Sequence, residues 1–101
     1  MEVCSKCLPY MLTAEMLLNI GKIMERIDTA TNNLQAIDND KLGDSMRTLK
    51  SLIFQNLFKL RDDIKKIKTN VGYYEFFTDN FYRSEDILTQ LENLINKLKL
   101  I

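Results

Sequence analysis

The chain has 101 residues, enough for one domain, and its content of 46% hydrophobic and 28% charged residues is typical of an ordered globular protein and excludes a disordered one. The formal net charge is zero, so the chain as a whole creates no field that favours nucleic acid or an acidic membrane. No stretch approaches the ~18 apolar residues that span a bilayer, and the N-terminus lacks the features of a signal peptide, so we expect no membrane partner and a cytoplasmic location.

Cys4 and Cys7 form a CxxC pair in a predicted N-terminal tail of residues 1–8. This spacing suits two ligands of a tetrahedral zinc site, but the chain has no histidine and no further cysteine. A zinc site would therefore need a second chain. The pair fits three roles: ordinary reduced thiols, which we favour, zinc ligands that join two chains, or a redox pair or local disulfide.

The first predicted helix spans about residues 9–38. Pro9 suits the first helical position, where its missing N–H is not needed. Apolar residues then alternate at spacings of four and three, which is the period of a heptad seam. These residues are Met16, Ile20, Ile23, Ile27, Ala30, Leu34 and Ile37. Gly21 lies inside the helix at a cost of about 1 kcal/mol relative to alanine, and it marks a bend or a close helix contact.

The second predicted helix spans about residues 41–71 and ends before Gly72. Its seam consists of Leu42, Met46, Leu49, Ile53, Leu57, Leu60, Ile64, Ile67 and Val71. Two successive spacings of four, from Leu49 to Leu57, predict a local unwinding of the seam. Leu52, Phe54 and Phe58 add a second apolar flank, which is more than two neighbouring helices easily cover.

The third predicted helix spans about residues 74–100. Its seam keeps a heptad register if Ser84 occupies one of the positions, and the apolar members are Tyr74, Phe77, Phe81, Leu88, Leu91, Ile95 and Leu98. Two interpretations remain open. One is a single helix with an irregular start, which we slightly favour, and the other is a break over residues 78–84 with Ser84 as the N-cap of a shorter helix.

The three segments differ in charge. Residues 1–38 carry three basic and five acidic residues, residues 39–72 carry eight and four, and residues 73–101 carry three and five, which gives net charges of −2, +4 and −2. Antiparallel packing of the basic segment between the acidic ones is favourable. The sequence therefore predicts an all-α fold, an elongated antiparallel three-helix bundle with coiled-coil-like seams, in a single domain of residues 1–101.

The sequence offers little for catalysis. Histidine is absent, which removes the commonest general base and the usual partner of a catalytic serine or cysteine. No phosphate-binding loop or nucleophile elbow occurs. Adjacent carboxylates at Asp62-Asp63 and Glu85-Asp86 point about 100° apart on a helix and do not face each other. We therefore expect a protein that is not an enzyme and that has no cofactor, apart from the zinc alternative.

The surplus of apolar and aromatic side chains predicts a protein–protein interaction module that self-associates, as a homodimer. Aromatic residues are enriched at interface hot spots. The candidate partner-binding residues are Leu52, Phe54, Phe58, Phe77 and Phe81. The small size and the composition, which is rich in Lys, Ile and Asn, agree with a virus- or phage-encoded inhibitor or adaptor that acts on a host protein.

An alternative function is a small regulator linked to nucleic acid. The C-terminal half of the second helix carries a basic cluster suited to phosphate, formed by Lys59, Arg61, Lys65, Lys66 and Lys68. Asp62 and Asp63 interrupt the cluster, so a solvated face that pairs with the acidic helices is the interpretation we prefer. Binding to nucleic acid would weaken steeply with salt and would be lost in the variant Lys65→Glu, Lys66→Glu.

The zinc alternative has a direct test. If Cys4 and Cys7 join two chains, protein purified without chelator contains one zinc ion for each pair of chains, and the Cys4→Ser variant contains none. Metal analysis by mass spectrometry measures both. Metal-free protein of the natural sequence would reject the zinc-linked dimer.

Overall fold

The three apolar seams of the sequence lie on three helices that pack against one another. A computed structural model describes the backbone of residues 14–69 and 74–101 and the side chains of residues 16–66 and 81–101. Within these ranges α1 spans Ala14–Gln35, α2 spans Asp44–Thr69 and α3 spans Tyr74–Lys99, and there is no strand. Each helix contacts the other two. The expected all-α three-helix bundle is confirmed.

Contacts between named residues fix the direction of each helix. Lys50 of α2 reaches Ile37 just after α1, and Arg61 lies beside Asp28, so residue numbers rise along α2 as they fall along α1. The two helices are antiparallel. Arg26 pairs with Glu92, and further along α1 the end of the helix lines the same cavity as Leu98, so α1 and α3 run parallel. The bundle is elongated, with extents of 58 × 18 × 17 Å.

The heptad seams form the core. Their members are buried and make one contiguous cluster, while Met16, Ile37, Met46 and Leu49 are partly buried towards its ends. The cluster contains Ile20, Ile23, Ile27, Ala30, Leu34, Ile53, Leu57, Leu60, Ile64, Phe81, Leu88, Leu91, Ile95 and Leu98. The seam positions Ile67, Val71, Tyr74 and Phe77 lie outside the described side chains.

The connection between α1 and α2 is longer than the sequence pattern indicates. Helix α1 ends at Gln35 and α2 begins at Asp44, whereas the predicted ends were 38 and 41. The reason is a separate 3₁₀ turn, Asn39–Lys41, in which the side chain of Asp38 accepts a hydrogen bond from the backbone N–H of Asp40. Leu42 follows this turn and is buried, so the connection closes one end of the bundle.

Lys50 explains the irregular apolar spacing in α2. Its side chain is only 8% exposed, and it takes the interior position that the pattern assigned to Leu49. The interior positions 46, 50, 53, 57, 60 and 64 then alternate regularly at spacings of four and three. Because the interior positions stay regular through this stretch, the predicted local unwinding is replaced by a heptad seam that contains one lysine.

The Lys50 ammonium group is held by the end of α1. Nζ donates hydrogen bonds to the carbonyl oxygen of Ile37 at 2.6 Å and to Oδ1 of Asn39 at 2.8 Å, and it lies 6.0 Å from the centre of the Phe54 ring. Helix α1 has no basic residue in its last turn. A positive charge at a helix C-terminus is favourable, so α2 supplies the cation that α1 lacks.

Helix α3 is continuous through Ser84, which is buried inside the bundle. Ser84 therefore occupies the missing seam position and is not the N-cap of a shorter helix.

The α1–α3 contact is polar at its surface, where Arg26 donates to Glu92 and to Oγ1 of Thr89. The hydrogen bond to the Glu92 carboxylate raises the pKa of the Arg26 guanidinium, so Arg26 keeps its positive charge over the ordinary pH range.

Replacing Lys50 by methionine should destabilise the hairpin of α1 and α2. Lys50→Met keeps the aliphatic stem but leaves the Ile37 carbonyl oxygen without its donor, so we expect a loss of about 1–3 kcal/mol in the free energy of unfolding. Urea denaturation followed by circular dichroism measures the change. The control is Lys59→Met, at an exposed position of the same helix. Equal unfolding midpoints for the two variants would contradict the role of Lys50.

Candidate interaction surface

Two rows of residues border the groove between α1 and α2, and they overlap where Asp28 lies beside Arg61 and Met24 lies near Lys65. Within each row the spacing is four, three and four, which places the members on one flank of their helix. Because the helices are antiparallel, the rows form one continuous surface. We call this surface the α1–α2 face, and it comprises Leu17, Gly21, Met24 and Asp28 of α1 with Phe54, Phe58, Arg61 and Lys65 of α2.

One end of the α1–α2 face is an apolar groove of about 530 Å³. Among the described residues its lining is apolar apart from Lys65 at the rim, and it includes Leu17, Ile20, Gly21, Met24 and Ile64. Leu17 is 46% exposed, whereas Ile20 and Ile64 belong to the core beneath. The exposed apolar surface of the groove therefore belongs to its wall at Leu17, while the core side chains beneath stay buried.

The other end carries two aromatic rings. Phe54 and Phe58 lie on successive turns of α2 with ring centres 6.3 Å apart and planes inclined by 19°. Phe54 is half-buried against the core, while Phe58 is 54% exposed. Stacking on Phe54 holds Phe58 in place, so an apolar ring projects from the face into solvent.

An ion pair separates these two apolar regions. Nη1 of Arg61 lies 3.6 Å from Oδ1 of Asp28, which is longer than a good hydrogen bond, and both side chains are about half exposed. Nε of Arg61 is buried without a hydrogen-bond partner. The pair is therefore loosely held, and its charged groups remain accessible.

The groove between α1 and α3 has the opposite character. It is a polar depression of about 340 Å³ lined mainly by Thr29, Asn33, Glu92, Asn93 and Asn96. The bundle thus presents one groove with apolar side chains and one with amide and hydroxyl groups. Apolar side chains are also exposed elsewhere on the bundle, among them Leu18, Leu52 and Ile87, but on the α1–α2 face they border an apolar groove.

The structure divides the predicted partner-binding residues. Phe54 and Phe58 lie together on the α1–α2 face. Leu52 is exposed but lies on the other flank of α2, about 120° around the helix from Phe58. Phe81 is only 5% exposed and belongs to the core, because the continuous α3 helix carries it into the seam; its assignment to a partner surface is corrected. Phe77 lies outside the described side chains.

The predicted nucleic-acid residues do not share one surface. Arg61 and Lys65 lie on the α1–α2 face, while Lys59 and Lys66 form a second row about 120° around the helix. Arg61 is also paired with Asp28. The side chain of Lys68 lies outside the described range. The basic cluster of the sequence therefore becomes two narrow rows, of which one is partly neutralised.

The predicted zinc ligands Cys4 and Cys7 lie outside the described residues. In residues 14–69 and 74–101, no group of three or more potential metal-binding side chains occurs. No helix in the same ranges is both long and apolar enough to cross a membrane.

The α1 half of the face was not among the predicted site residues. In the sequence, Leu17 and Met24 are apolar residues that only widen the first seam on one side, and Gly21 indicates only a bend or a close helix contact. The signal that identifies them is their spacing, which repeats that of Phe54, Phe58, Arg61 and Lys65. Pairing the two rows requires the register of the hairpin, which the structure supplies.

Comparison of the chain with protein-family models, with curated proteins and with solved structures found no significant match.

Serine substitutions at two phenylalanines distinguish surface from core. Phe58→Ser should lower the free energy of unfolding by about 1 kcal/mol or less, because the ring is half exposed and loses mainly its stacking on Phe54. Phe81→Ser should cost more than about 3 kcal/mol, because it leaves a cavity and buries a hydroxyl. Urea denaturation measures both values. Equal costs would contradict the placement of Phe81 in the core.

Proposed function

We propose that this protein is a non-enzymatic helical protein–protein interaction module that self-associates and that uses the α1–α2 face as its binding surface. The observation that carries the proposal is the combination of the projecting Phe58 ring with an open apolar groove on the same face. A monomer in water gains nothing from this exposure. A partner that covers the face gains the free energy of removing apolar surface from water.

The size of this gain supports binding. Full burial of a phenylalanine side chain is worth about 1.5–3 kcal/mol, and Phe58 has roughly half of its surface left to bury. Leu17, which is 46% exposed, adds further apolar area. An exposed aromatic ring that is already held by a neighbour loses little conformational entropy on binding, which is one reason why such rings act as interface hot spots.

The composition of the face also supports a docking role over a catalytic one. Its eight residues include one carboxylate and two cations but no thiol or hydroxyl that could serve as a nucleophile. The sequence supplies no histidine to act as a general base anywhere in the chain. A virus- or phage-encoded inhibitor or adaptor that binds a host protein is one form that agrees with the small size and the composition.

Self-association through the face should be weak and should strengthen with salt. Two copies of one face bring Arg61 and Lys65 of both chains together, and salt screens this repulsion while leaving apolar contact intact. Sedimentation equilibrium, run with reductant and chelator, should show a mass that rises with protein concentration and rises further at high salt.

Two variants locate the contact. Phe58→Ser should abolish the concentration dependence of the mass, whereas Leu52→Ser, an exposed position on the opposite flank of α2, should leave it unchanged. A monomeric mass at every concentration and salt condition would refute self-association. Loss of association in Leu52→Ser alone would show that a different face is used.

A further inference from the structure

We infer that the α1–α2 face binds an amphipathic helix of a partner protein, with carboxylates beside its apolar row. This inference rests on the proposed interaction function and adds the shape and the charge of the partner. It follows from three independent features of the face: the spacing of its rows, the glycine in its groove, and the sign of its net charge.

The spacing of the rows fits a helix. Two antiparallel helices with side chains at alternating spacings of four and three leave a groove into which a third helix packs with the same period. The three helices of the bundle already pack on one another in this way. From Phe54 to Lys65 the face extends about 16 Å along α2, and from Met24 to Leu17 it extends about 10 Å further along α1. A partner helix of about 18 residues therefore covers both apolar regions and the ion pair between them.

Gly21 indicates that another backbone comes close to α1. A glycine inside a helix is unfavourable relative to alanine. Packing within the bundle does not require it, because among the described residues no heavy atom lies within 4 Å of the position that a Cβ atom would take. Gly21 borders the apolar groove. Because Gly21 has no side chain, the groove stays deep enough for a helix to pack against α1.

The net charge of the face is positive, because its two cations, Arg61 and Lys65, outnumber its one carboxylate, Asp28. Lys65 is exposed at the rim of the groove, and none of the ion pairs among the described residues involves it. Arg61 contacts Asp28 only loosely and remains about half exposed. Carboxylates on a docked helix would pair with both cations as the apolar surface around them is covered.

A second copy of the chain is a poorer occupant by the same reasoning. In a symmetric dimer each face meets an identical face, so the surplus positive charge of one copy meets that of the other. An acidic helix has no such mismatch. It should therefore displace the weak self-association instead of adding to it.

The test uses the full chain and a synthetic peptide of about 18 residues. The peptide carries leucine at alternating spacings of four and three, with glutamate on both flanks of the leucine row. The control peptide has lysine in place of every glutamate. Fluorescence anisotropy at low salt should show that the glutamate peptide binds about tenfold or more tightly than the lysine peptide. High salt should reduce this preference, and the glutamate peptide should lower the mass of the self-associated protein.

Matched variants place the peptide on the face. Lys65→Glu and Phe58→Ser should each weaken binding of the glutamate peptide by about tenfold. Lys59→Glu and Leu52→Ser, exposed positions on the other flank of α2, should leave it unchanged. Gly21→Ala should raise the urea midpoint of the free protein and yet weaken peptide binding. If Gly21 had only a structural role, the substitution would leave peptide binding unchanged.

Equal binding of the two peptides, or equal effects of Lys65→Glu and Lys59→Glu, would overturn the inference. If the protein self-associates through Phe58 but shows no preference for the acidic peptide, the interaction function stands and a second copy is the occupant. If it neither self-associates nor binds either peptide, both the inference and the proposed function fail.

Discussion

The ammonium group of Lys50 holds α1 and α2 in register from inside the bundle. It donates to the Ile37 carbonyl oxygen and the Asn39 side chain, two groups that follow α1, while its stem occupies a core position of α2. A buried cation tolerates little displacement from its acceptors, since an unpaired charge in the core is costly. A slip of one helical turn would move α2 by about 5.4 Å and break both hydrogen bonds.

The arrangement of the α1–α2 face depends on this register. With Lys50 beside Ile37, Asp28 comes level with Arg61, and Leu17 and Met24 come level with the Ile64–Lys65 end of α2. The apolar groove and the Phe54–Phe58 pair therefore lie on either side of a polar centre. A shift of one helical turn would separate Arg61 from Asp28 and place it beside Met24 or Asn32 instead.

The sequence predicts the helices and the core well because burial follows helical period. Seam residues such as Ile20, Ile27 and Leu34 of α1 lie one above another on one side of the helix, and that side packs into the core. The burial of Lys50 could not be predicted in this way, because lysine does not contribute to the periodicity of apolar residues. Its burial depends on acceptors 11 and 13 residues away, which tertiary packing brings into reach.

The candidate site was predictable in part. Phe54 and Phe58 stand out as apolar residues beyond the seam, and helical geometry alone separates them from Leu52. Phe81 was assigned to the partner surface because aromatic residues are enriched at interface hot spots; its position in the continuous α3 helix places the ring in the core instead. The part played by Leu17, Gly21 and Met24 depends on which residues of α2 lie opposite them, and no local pattern contains that information.

Three helices that alternate in direction place the two ends of the described chain at opposite ends of a rod. The apolar groove lies near the start of α1, whereas Ile101 lines a cavity with Leu42 beside the α1–α2 connection. About 18 residues of α1 separate these levels, which corresponds to roughly 27 Å. A protein joined after Ile101 would therefore lie at the end of the rod opposite the groove, well away from a partner bound there.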